Sequence, residues 1–256
     1  MGRSILEVVL EDPAARLVAA LDRSGHPSLG QDVATLLGRT EPLLLIVTDD
    51  LDTALAKAEV VIDFTTPAAT RALLERCVRA KIPAVVGTTG LDLACERALD
   101  ALAAVAPVVA TPNFSVGVSV LTALAERAVR ALGSDFDIEI VEMHHKRKVD
   151  APSGTAVRLA EVVARARDLD PARAVVHGRS GQVGARRSEE IGVLALRGGD
   201  VVGDHTLILA GPGERIEITH RAHGREIFAR GAVRAAHWVV GRPPGRYDMA
   251  DVLGTR

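Results

Sequence analysis

Short apolar runs alternate with helically spaced ones through the first half of the chain. Leu17–Leu21 is such a run, closed by Asp22-Arg23 and followed over Ser24–Gly30 by a loop rich in Ser, Gly and Pro. Val60–Phe64, Ala84–Val86 and Val108–Ala110 repeat the pattern. Runs this short predict strands. Between them, Thr66 and Pro67 supply an N-cap and a first helical residue, which predicts a helix reaching about Ala80. Asp92–Val105 predicts another, after the turn Gly87-Thr-Thr-Gly90. Strand–helix alternation of this kind predicts a parallel sheet with helices on both faces. The character changes near Asn113. Val116–Leu132 predicts a long apolar helix, Asp137–Met143 a strand, and Ser153-Gly-Thr155 the cap of a helix reaching about Asp168. Three strand-like runs follow, Ile191–Leu196, His205–Leu209 and Arg215–Thr219, predicting a mixed sheet with helices on one side. Arg225–Val240 is a last helix, expected to return to the first lobe, and Tyr247–Leu253 a short tail.

Composition adds limits. The chain has 256 residues, 48% hydrophobic and 25% charged, enough for two lobes with a real core. The formal net charge of -2 gives no reason to expect nucleic acid or a membrane surface as partner. No apolar run approaches the ~18 residues of a membrane span. The opening Met1-Gly-Arg-Ser-Ile lacks the apolar core of a signal peptide. The two cysteines, Cys77 and Cys95, form no C-x-x-C and sit in helically spaced stretches, so buried thiols in a reducing, cytoplasmic compartment are expected.

The chemistry concentrates in Glu142–Thr155. This stretch follows a predicted strand and ends at a predicted helix N-terminus, where free N–H groups and partial positive charge favour a carboxylate or phosphate. His144 to Lys148 are five consecutive basic or titratable residues, in a chain with only Lys57, Lys81, Lys146 and Lys148 as lysines. A basic run alone is ordinarily a solvated loop, and Ser-Gly-Thr alone an ordinary cap. Their conjunction on one loop predicts a pocket for a small dianion with a proton donor beside it. The adjacent histidines fit no metal-ligand spacing, so no metal is expected.

Glu142-x-His-His-x-x-Lys-x-Asp-x-Pro-Ser-Gly-Thr-Ala156 resembles the signature of dihydrodipicolinate reductases. Val61-Ile-Asp-Phe-Thr-Thr-Pro67, Val86-Gly-Thr-Thr-Gly90 and Thr111-Pro-Asn-Phe-Ser-Val-Gly117 resemble that family's cofactor-side segments. Gly203-Asp-His-Thr206, Ile216-Glu-Ile-Thr-His220, Phe228-Ala-Arg-Gly-Ala-Val-Arg234 and Tyr247-Asp-Met-Ala-Asp-Val-Leu253 are similar to its later blocks. The resemblance implies an α/β fold: a Rossmann domain over 1–114 and 225–256, and a smaller α+β mixed-sheet domain over 115–224 that binds substrate and builds a homotetramer. It implies reduction of a cyclic dicarboxylate by NADH or NADPH, with loss of water, in lysine and diaminopimelate biosynthesis. By position it implies His144 as acid/base residue and Lys148 as proton donor. His145, Ser153, Gly154 and Thr155 fall at substrate-binding positions. Phe64, Gly87, Thr88, Thr89, Thr111, Pro112, Asn113, Phe114 and Arg225 fall on the cofactor side.

The N-terminus departs from the pattern. A Rossmann domain opens with a strand and a glycine-rich turn. Met1-Gly-Arg-Ser4 resembles only the tail of that motif, so the first strand is expected to be missing. Asp22 and Arg23 follow at the end of the second strand, where an acid accepts ribose hydroxyls and an arginine meets a 2′-phosphate, compatible with NADH and NADPH alike. A second reading therefore stands beside the enzyme: a truncated, non-catalytic member that oligomerises but binds cofactor poorly.

Overall fold

In the computed structural model, which describes residues 1–255, the chain opens with α1 (Gly2–Glu11), β1 (Ala20–Leu21), α2 (Val33–Leu36), β2 (Val47–Thr48) and α3 (Leu51–Leu55). It continues through β3 (Val61–Asp63), α4 (Pro67–Ala80), β4 (Ala84–Val86), α5 (Leu93–Ala103) and β5 (Pro107–Ala110). Next come α6 (Val116–Leu132), β6 (Asp137–His144), α7 (Gly154–Ala166), α8 (Pro171–Ala174), β7 (Val175–Val176), β8 (Ile191–Arg197), β9 (Gly203–Gly211) and β10 (Glu214–Ala222). The chain closes with α9 (Glu226–Val239), β11 (Gly245–Tyr247) and α10 (Met249–Leu253). It divides into two units, one made of Met1–Val116 with Glu226–Gly254, the other built on Gly117–Arg225.

The first unit holds a four-stranded parallel sheet in the order β11-β5-β4-β3 and a separate parallel pair, β1 with β2. Alternation along β4 and β5 divides the core. Ala84, Val86 and Val108 pack with Leu73, Leu74 and Cys77 of α4 and Leu99 and Leu102 of α5. Val85 and Val109 turn to the other face, against Ala232, Ala235 and Val239 of α9 and Val252 of α10. Pro67 starts α4 as expected, but the Thr66 side chain makes no capping hydrogen bond. Asp92 does cap α5, accepting from the Cys95 N–H at 2.8 Å. Helix α9 packs on α1, with Ile5 and Val8 against Ala229 and Val233. The expected tail is in fact a strand and a helix: β11 adds to the sheet beside β5, and Asp248 opens α10 with a capping box.

The second unit is a five-stranded mixed sheet, β10-β9-β6-β8-β7. Ile138 and Ile140 of β6, Ile191 and Val193 of β8, and Leu207 and Leu209 of β9 share one face. That face is covered by Leu121, Ala125 and Val129 of α6 and Leu159, Ala160 and Val163 of α7. The alternate residues Val141, Leu194 and Leu196 lie on the other face, where Leu196 is 50% exposed. Among the described residues no helix is long and apolar enough to cross a membrane.

Candidate active site

The strand β6 ends at His144, and its inward alternation also buries Glu142 completely. A buried carboxylate needs donors. Glu142 has four: the two terminal nitrogens of Arg197 at 2.8 and 3.0 Å, the Ser153 N–H at 3.0 Å, and Nδ1 of His144 at 2.6 Å. Burial by itself pushes the Glu142 carboxyl up, but the Arg197 fork, with His144 and the Ser153 amide, outweighs it and holds the group below its ordinary range. Glu142 is therefore an ionised, acceptor-only partner, and His144 donates through Nδ1. Nε2 of His144 takes no part in that bond. Gly203 gives it room, since a Cβ there would stand 3.0 Å from Nε2.

His144 also has an edge-on aromatic neighbour, His205, with ring centroids 5.2 Å apart. His205 lies opposite Glu142 in the β6–β9 register and bonds the Ser153 hydroxyl through Nε2 at 2.9 Å. Burial, then the nearby His144, pulls its pKa down to about 4, so its ring is neutral near pH 7.

After β6 the chain turns through a loop that ends at the N-terminus of α7. His145 donates its N–H to the Val201 carbonyl and Lys148 to that of His145, which fixes the turn. The Lys148 ammonium meets Asp150 at 2.9 Å. The expected crowd of like charge is thus answered by a carboxylate, which Lys148 in turn holds below its usual range. Ala151-Pro152 is cis. Ser153 caps α7, accepting from the Ala156 N–H at 3.2 Å. Its hydroxyl is thus turned inward, whereas Gly154 is exposed and Thr155 half-buried in the first helical turn. Together these residues give a capped helix N-terminus of the kind that favours anions, a paired lysine and an oriented imidazole. Glu142, Arg197 and His205 were absent from the expected site residues. Glu142 could have been found from its i, i+2 spacing to His144 on one strand. Arg197 comes to His144 only by the β6–β8 register.

In the first unit, the segments after β3, β4 and β5 leave the carboxyl ends of adjacent parallel strands, the place where open α/β sheets bind ligands. Buried Asp63 ties two of them together, accepting from the hydroxyls of Thr65 at 2.6 Å and Thr88 at 3.1 Å. Gly87 is buried where any Cβ would strike the Phe64 ring. Thr89 and Pro112 are exposed, and Thr111 and Asn113 half-buried. The Phe114 ring is fully enclosed against Phe64, at 5.3 Å between centroids, so its side chain packs as core. The Thr88 hydroxyl likewise turns inward to Asp63. Asp22, at the carboxyl end of β1, is half-buried and bonded by His26 at 3.0 Å and Ser28 at 3.2 Å, while Arg23 is exposed. Exposed Arg225, which closes the Gly117–Arg225 stretch of the second unit, stands just before α9. A carboxylate at one strand end and Thr-bearing segments at three others, one of them with Gly87, fit the ribose and phosphates of a dinucleotide.

The family model for the N-terminal part of dihydrodipicolinate reductase matches residues 1–114, and that for its C-terminal part matches residues 117–253. The chain is 53% identical to the 4-hydroxy-tetrahydrodipicolinate reductase of Alkalilimnicola ehrlichii over 99% of this chain and 95% of that protein. It is 51% identical to the protein of the same name from Anaeromyxobacter dehalogenans, over 100% of this chain and 94% of the other. Among solved structures, a dipicolinate-bound dihydrodipicolinate reductase from Paenisporosarcina is similar, with a TM-score of 0.76 at 25% identity, covering 96% of this chain and 92% of that one.

Proposed function

The chain belongs to the dihydrodipicolinate reductase family, and we infer that it carries the activity for which its relatives are named: reduction of 4-hydroxy-tetrahydrodipicolinate by NADH or NADPH. The net reaction adds a hydride and a proton to the cyclic dicarboxylate and releases water, giving tetrahydrodipicolinate for lysine and diaminopimelate synthesis. Nothing supports the alternative of a non-catalytic member, since relatives named as the reductase match the chain over its full length. The observation that carries the reading is the ionised Glu142 fixing His144 at Nδ1 at the end of β6, just before the loop that ends on a capped helix N-terminus.

The second unit is the substrate domain in this account, and the first the dinucleotide domain. The nicotinamide, when bound, supplies the hydride. His145 and the first turn of α7, at Gly154 and Thr155, hold the substrate carboxylates. Ser153 serves them indirectly by fixing that turn. Nε2 of His144 exchanges a proton with the substrate. Lys148, once released from Asp150, donates the proton that accompanies reduction. Asp22 accepts the ribose hydroxyls, with Arg23 beside it available to phosphate. A homotetramer is part of the same proposal, supported by the open sheet face around Val141, Leu194 and Leu196, which needs a cover. A cytoplasmic setting suits two free, buried cysteines. The test is steady-state oxidation of NADH and of NADPH by the purified protein, with substrate formed in situ from pyruvate and aspartate semialdehyde. Substrate-dependent oxidation of at least one nucleotide is expected, with dipicolinate inhibiting. No oxidation of either by folded protein would refute it.

A further inference from the structure

Arg197 is the last residue of β8 and lies directly across from His144 in the parallel β6–β8 ladder. Its guanidinium spans two parts of the site. Both terminal nitrogens reach the Glu142 carboxylate, at 2.8 and 3.0 Å. One of them also donates to the Leu196 carbonyl at 2.6 Å, which fixes the fork against its own strand. The other donates to the Asp150 carbonyl at 2.7 Å. Asp150 is the residue whose carboxylate holds Lys148. One side chain thus braces the carboxylate that orients His144 and the backbone that carries the partner of Lys148.

We propose that Arg197 is a positioning residue that locks His144 and the Lys148 loop into a single arrangement, through Glu142 on one arm and the Asp150 carbonyl on the other. This rests on the reading of His144 and Lys148 as the proton-handling groups of the reductase. The chemistry asks for arginine. Only a planar fork meets a carboxylate with two parallel donors and still has a donor left for a carbonyl beside it. Lysine offers the charge from a single point. The arrangement also accounts for a fully buried Glu142: without the fork the carboxylate is an uncompensated buried charge, and the reason for His144 to present a proton at Nδ1 weakens.

The experiment compares wild type with Arg197→Ala, in the absence and presence of millimolar guanidinium chloride, with sodium chloride as control. Two readouts are taken: kcat with KM for nucleotide, and the ring ¹⁵N signals of His144 without substrate, which report the tautomer. Arg197→Ala should lower kcat by ~10²-fold, the size expected when a proton-transfer group loses its alignment, with nucleotide KM unchanged. The Nδ1-protonated signal should give way to a mixture. Guanidinium should restore both, saturably, and sodium should restore neither. A folded variant that keeps kcat and tautomer, or whose loss guanidinium leaves untouched, overturns the proposal. If Arg197→Ala fails to fold, Arg197→Lys decides: a loss of ~10-fold in kcat is expected because one ammonium cannot bridge Glu142 and the Asp150 carbonyl, and wild-type kcat would refute the role. Should the wild type itself not turn over the dicarboxylate, the functional reading fails, and the tautomer signals still decide whether Arg197 orients His144.

Discussion

Glu142 and His144 stand two residues apart on one strand, and Oε2 of the first lies 2.6 Å from Nδ1 of the second. Strand alternation puts both side chains on the same face. A carboxylate that only accepts dictates which ring nitrogen carries the proton, leaving the other to work. Glu142→Gln keeps the size and removes that instruction. The variant should lose ~10²-fold or more in kcat, with little change in nucleotide KM. Steady-state kinetics check this, and a kcat within a factor of about three would show that tautomer control is unimportant here.

Lys148→Arg tests whether Lys148 gives up a proton or merely supplies charge. Arginine keeps the ion pair with Asp150 but stays protonated near neutral pH. Turnover should fall by ~10² or more, with the anion site intact and substrate KM little changed. Near-normal kcat in Lys148→Arg would remove Lys148 from the proton-donor role.

Gly203→Ala should harm turnover more than folding. The new methyl would sit 3.0 Å from His144 Nε2, so the ring must give by a few tenths of an ångström against its bond to Glu142. An expected loss of ~10-fold in kcat, alongside a melting temperature near wild type, separates this from a packing defect. Gly231→Ala makes the opposite case in the first unit. A Cβ there would run into the Phe114 carbonyl, where α9 approaches the backbone too closely for any side chain. Destabilisation of ~2 kcal/mol or more is expected, read as a drop in melting temperature of several degrees. Unchanged melting would mean that α9 can shift without cost.

His205 gives stability a pH dependence with a definite sign. Its folded-state pKa lies at about 4, below the ordinary 6.5, with burial the main cause and the neighbouring His144 next. Between those values the unfolded chain holds a proton that the folded one refuses. The contribution is complete above pH ~6.5 and is lost as the pH falls toward about 4, amounting to ~3 kcal/mol at most. His205→Gln keeps an amide within reach of Ser153 and does not titrate. The gap in melting temperature between pH 7 and pH 5 should therefore be smaller for His205→Gln than for wild type. Equal gaps would show that His205 is not held neutral by the fold.

What could be read in the sequence follows how local each feature is. Ala84–Val86 and Val116–Leu132 match the predicted elements residue for residue, because a fully apolar triplet and a long periodic stretch carry their own signal. Strand β1 is shorter than its apolar run, Ala20–Leu21 within Leu17–Leu21. Strand β11, Gly245–Tyr247, went unread because Arg246 breaks any apolar pattern and the strand exists only through its pairing with β5. The site divides the same way. His144, His145, Lys148 and the Ser153 cap lie on one stretch and could be read together. Arg197 and His205 are 53 and 61 residues beyond His144 by number (197 − 144 and 205 − 144), and strand register alone brings them in.

Product analysis is the sharpest test of 4-hydroxy-tetrahydrodipicolinate reduction. The purified protein is incubated with the dicarboxylate and NADPH, then NADH, and the products are identified by mass spectrometry while nucleotide oxidation is followed. Tetrahydrodipicolinate is expected, formed in equal amount to the nucleotide oxidised. Nucleotide oxidation without that product, or no reaction with either nucleotide in a protein whose fold is intact, would contradict it.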